Sequence, residues 1–451
     1  MQGKNSSDDH QTKGEEEYDL KGRPRRGLIT ATLGLFAGLT SIVFYGVSGP
    51  VLKEAMGLSG MMLGVLEASP HLSKAILRIP FGAWVDRVGG KRPFLILLGL
   101  TIVGISGFTI VLFLYYPDHF TGELYPYLLI FGLLAGAGGA TFSVGIPKTS
   151  YWYPSHRQGF ALGFYAGAGN IGPGVFNFVI PGLIGLVGLA WAYSFWLLFM
   201  VVVTVAYGLL AVDAYYFQLI NQGANREEAI AIAADHGQDV VPSESSWDSL
   251  KDSAANMHTW VLVFLYTVSF GGGFTALAAW FPIYWKSFHH MSLSMAGLMA
   301  GIFVVYGSLI RIPGGSLSDR FGGEMVGIAS FGTMILGAAV LTVSEGTTFS
   351  IVGMLVLGTG MGVANAAVFE MVPVYVPDAV GGASGWIGGL GGAGTLAILP
   401  ILGMFTDLYG SIGYARGFIV FVILSGLCTA VTIVLRGTPP HRESGGETVV
   451  H

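Results

Sequence analysis

The chain has 451 residues, 52% of them hydrophobic and only 11% charged, with 69 glycines, a formal net charge of −5 and a single cysteine, Cys428. So apolar and glycine-rich a composition excludes an ordinary soluble domain. The acidic balance offers nothing to a nucleic-acid backbone, and one cysteine supplies no disulfide framework.

Residues 1–27 are charged, with Asp8, Asp9, Glu15, Glu16, Glu17 and Asp19 followed by Lys21, Arg23, Arg25 and Arg26. They lack the apolar core and small-residue cleavage site of a signal peptide, so an N-terminal tail and an uncleaved first span are expected. Apolar stretches long enough to cross a hydrocarbon layer of about 30 Å then follow at 28–50, 58–84, 93–116, 125–147, 158–182 and 190–214. An acidic stretch at 215–256 is expected to be a solvated linker with a short helix at 224–234, and six more apolar stretches follow at 258–286, 293–317, 325–344, 348–373, 382–406 and 412–436. The expectation is an all-α membrane protein of twelve transmembrane helices. Its parts are the tail 1–27, a six-helix half 28–214, the linker 215–256, a second half 257–436 and a C-terminal tail 437–451. With the N-terminus inside, the cytoplasmic loops carry the excess of Lys and Arg, including Arg87, Lys91, Arg92, Arg157 and Arg320. A multi-pass protein of the cell membrane with both termini cytoplasmic is therefore expected.

One phrase occurs twice. Arg78-Ile-Pro-Phe-Gly-Ala-Trp-Val-Asp86-Arg87-Val-Gly89-Gly90 returns as Arg311-Ile-Pro-Gly-Gly-Ser-Leu-Ser-Asp319-Arg320-Phe-Gly322-Gly323, offset by 233 residues (311 minus 78). An arginine at bilayer depth costs several kcal/mol unless it faces a cavity or a partner. Two at equivalent places suggest one central anion site. Asp86, Arg87, Asp319 and Arg320, near the cytoplasmic helix ends, are candidates for gating rather than binding. On the second span Glu67, His71, Lys74 and Arg78 recur at helical spacing and share a face. Lys74 joins Arg78 as a path-lining candidate. Glu67, His71 and Glu370 are the intramembrane groups available for proton coupling. Lys148 is placed either in the path or snorkelling towards the cytoplasm.

A second register, offset by 222 residues, pairs Gly163, Gly167, Gly169 and Gly172 at the opening of the fifth span with Gly385, Gly389, Gly391 and Gly394 at the opening of the eleventh. Two six-helix halves related by an axis along the membrane normal form the major facilitator arrangement, whose substrate lies near the midplane between them. Glycines at this density allow close helix approach and sliding.

On the paired arginines and the two glycine-rich stretches, the chain resembles the nitrate/nitrite porter family of the major facilitator superfamily from about residue 28 to 436. The second stretch departs from the first in carrying Gly392 where the first has Asn170. The resemblance implies that Arg78 and Arg311 bind the anion, that Phe142, Tyr266 and Phe270 enclose it, and that Asn170 assists. Tyr266 and Phe270, four apart, share a helix face. Nitrate and nitrite are planar monoanions that match the planar donor fork of guanidinium. Transport by nitrate/nitrite exchange is expected. Proton-coupled nitrate uptake, or carriage of small carboxylates such as formate or oxalate, are the alternatives. No constellation of catalytic groups, metal ligands or cofactor motif is present in the sequence, so neither an enzyme nor a cofactor is expected. A receptor without turnover is disfavoured by the short termini. The partners expected are small inorganic anions and the lipid bilayer, with the monomer sufficient for function.

Overall fold

Within hydrocarbon each backbone N–H and C=O must be satisfied inside its own segment, so an apolar chain of this length is driven into helices. The computed structural model describes residues 18–154, 158–238, 242, 246–376 and 380–437, and among these the regular structure is helical. The first half contains Pro24–Thr40, Gly60–Val88, Lys91–Tyr115, a fourth span built from Tyr125–Gly136 and Thr141–Ser150, a fifth from Gln158–Gly169 and Ile171–Val187, and Leu189–Leu210. The second half contains Met257–Tyr266 continued by Ala276–Ser287, Leu293–Leu309 continued by Arg311–Phe321, Gly323–Val343, Thr347–Tyr375, Val380–Leu390 continued by Thr395–Tyr409, and Ile419–Gly437. Eleven segments are long and apolar enough to cross a membrane. The second span, Gly60–Val88, equals them in length with 29 residues but carries Glu67, Lys74, Arg78, Asp86 and Arg87.

Several boundaries differ from the sequence expectation. The first span ends at Thr40 rather than near residue 50, giving way to tight turns and a short helix Gly49–Met56. The reason is close packing: Gly46 sits against the backbone of Ala279 in the seventh span, where a Cβ would lie 2.8 Å from Ala279 Cα. Both glycine-rich stretches lie in the opening part of their spans, and both meet a break in the helix. The first straddles a break at Asn170 between Gln158–Gly169 and Ile171–Val187, and the second straddles a 3₁₀ turn at Gly391–Gly394. The eighth span breaks at Ile310, immediately before Arg311. The linker is less solvated than expected. Its helices Tyr215–Asn221 and Arg226–Asp235 pack on the N-terminal tail, with Tyr18 donating to Glu228 at 2.9 Å and the Lys21 amide to Gln218 at 2.8 Å. Its last helix, Ser246–Ala255, leans on the eleventh span, where the Trp386 indole donates to the Leu250 carbonyl at 2.9 Å.

The repeated phrase ends both its helices in the same way. Gly89 (φ +77°) and Gly322 (φ +84°) occupy the left-handed region at the helix C-caps, which a side chain would strain. Behind Gly89, Asp213 accepts from the Lys91 amide at 2.8 Å and pairs with Lys148 at 3.5 Å. Lys148 is 1% exposed and also donates to the Val212 carbonyl, so it neither snorkels nor lines the path but pins the fourth span to the end of the sixth.

The two halves meet closely at the end of the bundle where the second span starts. There Gly64 rests on the backbone of Leu399 and Pro400, and the Asn177 amide donates to the Ala278 carbonyl at 3.0 Å. Asp407 of the eleventh span accepts from the backbone amides of Gly60 at 2.5 Å and Met61 at 2.8 Å, a carboxylate placed at the positive end of the second span.

Candidate functional site

Arg78 lies in mid-helix two residues before Pro80, and Arg311 opens a helix two residues before Pro313. Proline at that spacing withdraws an N–H from the carbonyl four residues earlier and loosens the backbone around each arginine. Each guanidinium then faces an aromatic ring: Arg78 lies 5.1 Å from the Phe142 centroid and Arg311 lies 5.2 Å from that of Phe270. Cation–π contact of this kind stabilises a desolvated guanidinium by about 0.5–2 kcal/mol. Tyr266 stacks on Phe270 with centroids 5.0 Å apart, extending the second wall.

Arg78 is 4% exposed, yet its hydrogen bonding is incomplete. Its Nη1 donates to the Gly388 carbonyl of the opposite half at 2.6 Å, while Nε is buried without a partner. Arg311 is half-buried. Among the described residues no carboxylate pairs with either arginine. Two cations held by rings and one carbonyl leave donors free for an anion.

The second glycine stretch makes room for this arrangement. A Cβ at Gly391 would lie 2.7 Å from Tyr266 Cδ1, and one at Gly392 would lie 3.3 Å from Arg78 Nη1. Opposite it the seventh span widens into a π-helix over Thr267–Thr275, containing Gly271, Gly272 and Gly273. Thr395 Oγ1 donates to the Gly271 carbonyl at 2.5 Å, and Gly272 lies against Gly394, so the irregular stretches of the seventh and eleventh spans are locked backbone to backbone. π-bulges of this kind frequently mark functional sites. Here the bulge begins immediately after Tyr266.

The first glycine stretch packs differently. Gly169 accommodates Leu35 and Gly172 approaches the Phe36 backbone of the first span, whereas Gly167 faces open space. Gly163 lies on the helix Gln158–Gly169, and Gly385 and Gly389 have only Leu250 and Ile79 near. Asn170 does not reach out: its amide donates to the Ala166 carbonyl one turn back at 2.8 Å. In the 222-residue register Ala166 corresponds to Gly388, whose carbonyl Arg78 occupies. The side chain of Asn170 thus fills, in the first half, the acceptor that an arginine fills in the second. Tyr165, not singled out from the sequence, is fully buried beside Phe142 and donates to the Thr141 carbonyl at 2.9 Å. Its signal was its place inside the first glycine stretch.

The gating candidates are described in part. Asp86 accepts from the Tyr151 hydroxyl at 2.6 Å, Arg87 is exposed, and Arg320 lies 5.2 Å from the Phe321 ring. The Asp319 side chain lies outside the described residues. Glu370 is half-buried on the tenth span. Glu67, His71 and Lys74 are all buried, with Lys74 Nζ and His71 Nδ1 3.0 Å apart. A separate, largely apolar groove of about 310 Å³ is lined by Leu317, Phe321, Met325 and Val363 among others, and neither Arg78 nor Arg311 is among its lining residues.

The Major Facilitator Superfamily model matches residues 30–397 and 263–449. A probable nitrate/nitrite antiporter of Thermus thermophilus, NarK1, is 29% identical over 430 residues, covering 88% of each chain. A probable nitrate transporter of Staphylococcus epidermidis, NarT, is 25% identical over 409 residues, covering 90% of this chain and 95% of its own. Among solved structures, the partially occluded inward-open xylose transporter XylE from E. coli superposes with a TM-score of 0.69 at 16% identity, covering 93% of this chain and 100% of that one.

Proposed function

Because the chain belongs to the major facilitator superfamily, we propose that it carries nitrate and nitrite across a membrane by alternating access, exchanging one for the other. The anion sits between Arg78 and Arg311, with Phe142, Phe270 and Tyr266 as its walls. The observation that carries this reading is the pair of arginines, one from each half, each backed by a ring and, among the described residues, neither paired with a carboxylate. The names of the relatives, a nitrate/nitrite antiporter and a nitrate transporter, support the substrate.

Exchange follows from electrostatics. Crossing between states with the site closed and empty buries positive charge without compensation, which is strongly unfavourable. A bound monoanion removes that cost in both directions. Each half supplies one arginine, so a single chain holds a complete site. The Lys and Arg distribution supports both termini in the cytoplasm, and on that reading the end joined by Asp407 is the external one. Asp86, Arg87, Asp319 and Arg320 then act at the cytoplasmic end during closure.

The test is nitrate-driven nitrite efflux from proteoliposomes with wild type, Arg78→Lys and Arg311→Lys. Exchange in wild type and its loss in both variants is expected, because lysine keeps the charge but loses the planar fork. Absence of nitrate/nitrite flux in wild-type preparations active on formate would move the substrate to small carboxylates.

A further inference from the structure

Glu67 is the one acid buried within the second span between the seam of the two halves and Arg78. It is 1% exposed, and both carboxyl oxygens lack a hydrogen-bond partner. Gly49 presses against Oε1 so closely that a Cβ there would collide with it. One turn before Glu67, Gly64 rests on the backbone of Leu399 and Pro400, the contact that closes the external end. One turn after it, His71 is engaged with Lys74 at 3.0 Å. Lys53 from the short helix Gly49–Met56 and Tyr193 from the sixth span are the ionisable groups that face it from other elements. Neither pairs with it: Lys53 donates across the halves to Tyr414 at 3.1 Å, and the Tyr193 hydroxyl is held by Ser48 and the Phe44 carbonyl. From the eleventh span the charged group at this end is Asp407, bound two turns away at Gly60.

A carboxylate in such a place, ionised and without a hydrogen bond, opposes the packing that buries it. Opening the external end separates Gly64 from Leu399 and lets water reach the turn below. We propose that closing the external end requires a proton on Glu67, so that the second span carries a proton-binding site between the outer seam and the anion site. The proposal rests on the reading of the chain as an anion carrier and adds its control: the carrier closes over its anion only after Glu67 has been neutralised from the external face. Proton binding here is a simple association, with the proton delivered by external water and returned to it when that end reopens.

The experiment measures nitrate/nitrite exchange in proteoliposomes at equal internal and external pH between about 5.5 and 8.5, for wild type, Glu67→Gln and His71→Gln. For a single required proton, wild-type exchange falls by up to about tenfold per pH unit above its midpoint. Glu67→Gln, a neutral isostere, is expected to remain active with a flat profile, while His71→Gln keeps the wild-type slope. Spin-label distances across the external end provide a second reading: the wild type opens as pH rises and Glu67→Gln stays closed. A flat wild-type profile, or an unchanged slope in Glu67→Gln, overturns the proposal. So does a monodisperse Glu67→Gln protein that no longer exchanges. If wild type moves formate rather than nitrate, the same profiles run with formate test the proton site while the substrate reading alone fails.

Discussion

Replacing Asp407 should unlatch the external end. Its two oxygens accept from the Gly60 and Met61 amides at 2.5 and 2.8 Å, bonds that join the eleventh span to the second. Charge-assisted bonds of this type contribute about 1.5–3 kcal/mol each when buried. Asp407 is exposed, so water competes and a combined contribution of about 1–2 kcal/mol, including the helix-dipole effect, is the appropriate scale. That corresponds to a shift of roughly 5- to 30-fold in the equilibrium between closed and open external ends. Labels on Glu54→Cys and Ser411→Cys, both exposed near this end, would report it as a distance distribution. Cys428 is fully buried and adds little background. Asp407→Ala should populate a longer distance, with Asp407→Asn intermediate because its oxygen still accepts one bond. Identical distributions for wild type and Asp407→Ala would refute the latch.

Gly391→Ala should cut exchange by about tenfold or more, since the new Cβ would lie 2.7 Å from the Tyr266 ring and displace the wall of the site. Gly167→Ala, which meets nothing within 4 Å, should lose far less in the same flux assay. Phe142→Leu removes the ring 5.1 Å from Arg78 and should weaken nitrate binding by about 2- to 30-fold, measured by calorimetry in detergent. Asp213→Asn strips the counter-charge from Lys148, which is 1% exposed. A loss of about 3 kcal/mol is expected in thermal unfolding, with Lys148→Met recovering most of it in the double variant.

The duplication made the arginines legible. Arg78 and Arg311 stand out because a charge in an apolar helix is costly and because the same residues return in the same register. The aromatic walls were reached through family resemblance, since Phe142, Tyr266 and Phe270 carry no signal that separates them from packing aromatics. Helix irregularity was harder to read. Gly271-Gly272-Gly273 invites loosening, but only the backbone contact with Gly391–Gly394 determines that it becomes a π stretch rather than a bend. The breaks at Asn170 and Ile310 were hidden for the same reason: hydrophobicity continues through them. Asp407 was not singled out from the sequence, because its partners are backbone amides that have no identity in sequence. Lys148 illustrates the reverse error. Its position suggested the path or the membrane surface, and its partner, Asp213, lies 65 residues away (213 minus 148) at the end of another span.

The hydrogen bond from Arg78 to the Gly388 carbonyl crosses from one half to the other at 2.6 Å. On the exchange proposed above, that bond gives Arg78 an acceptor within the protein, whereas in the other half the Asn170 amide already holds the corresponding carbonyl. The proposed carrier would then cross without an anion slowly rather than never, and each such crossing would be a slip that turns swapping into net movement.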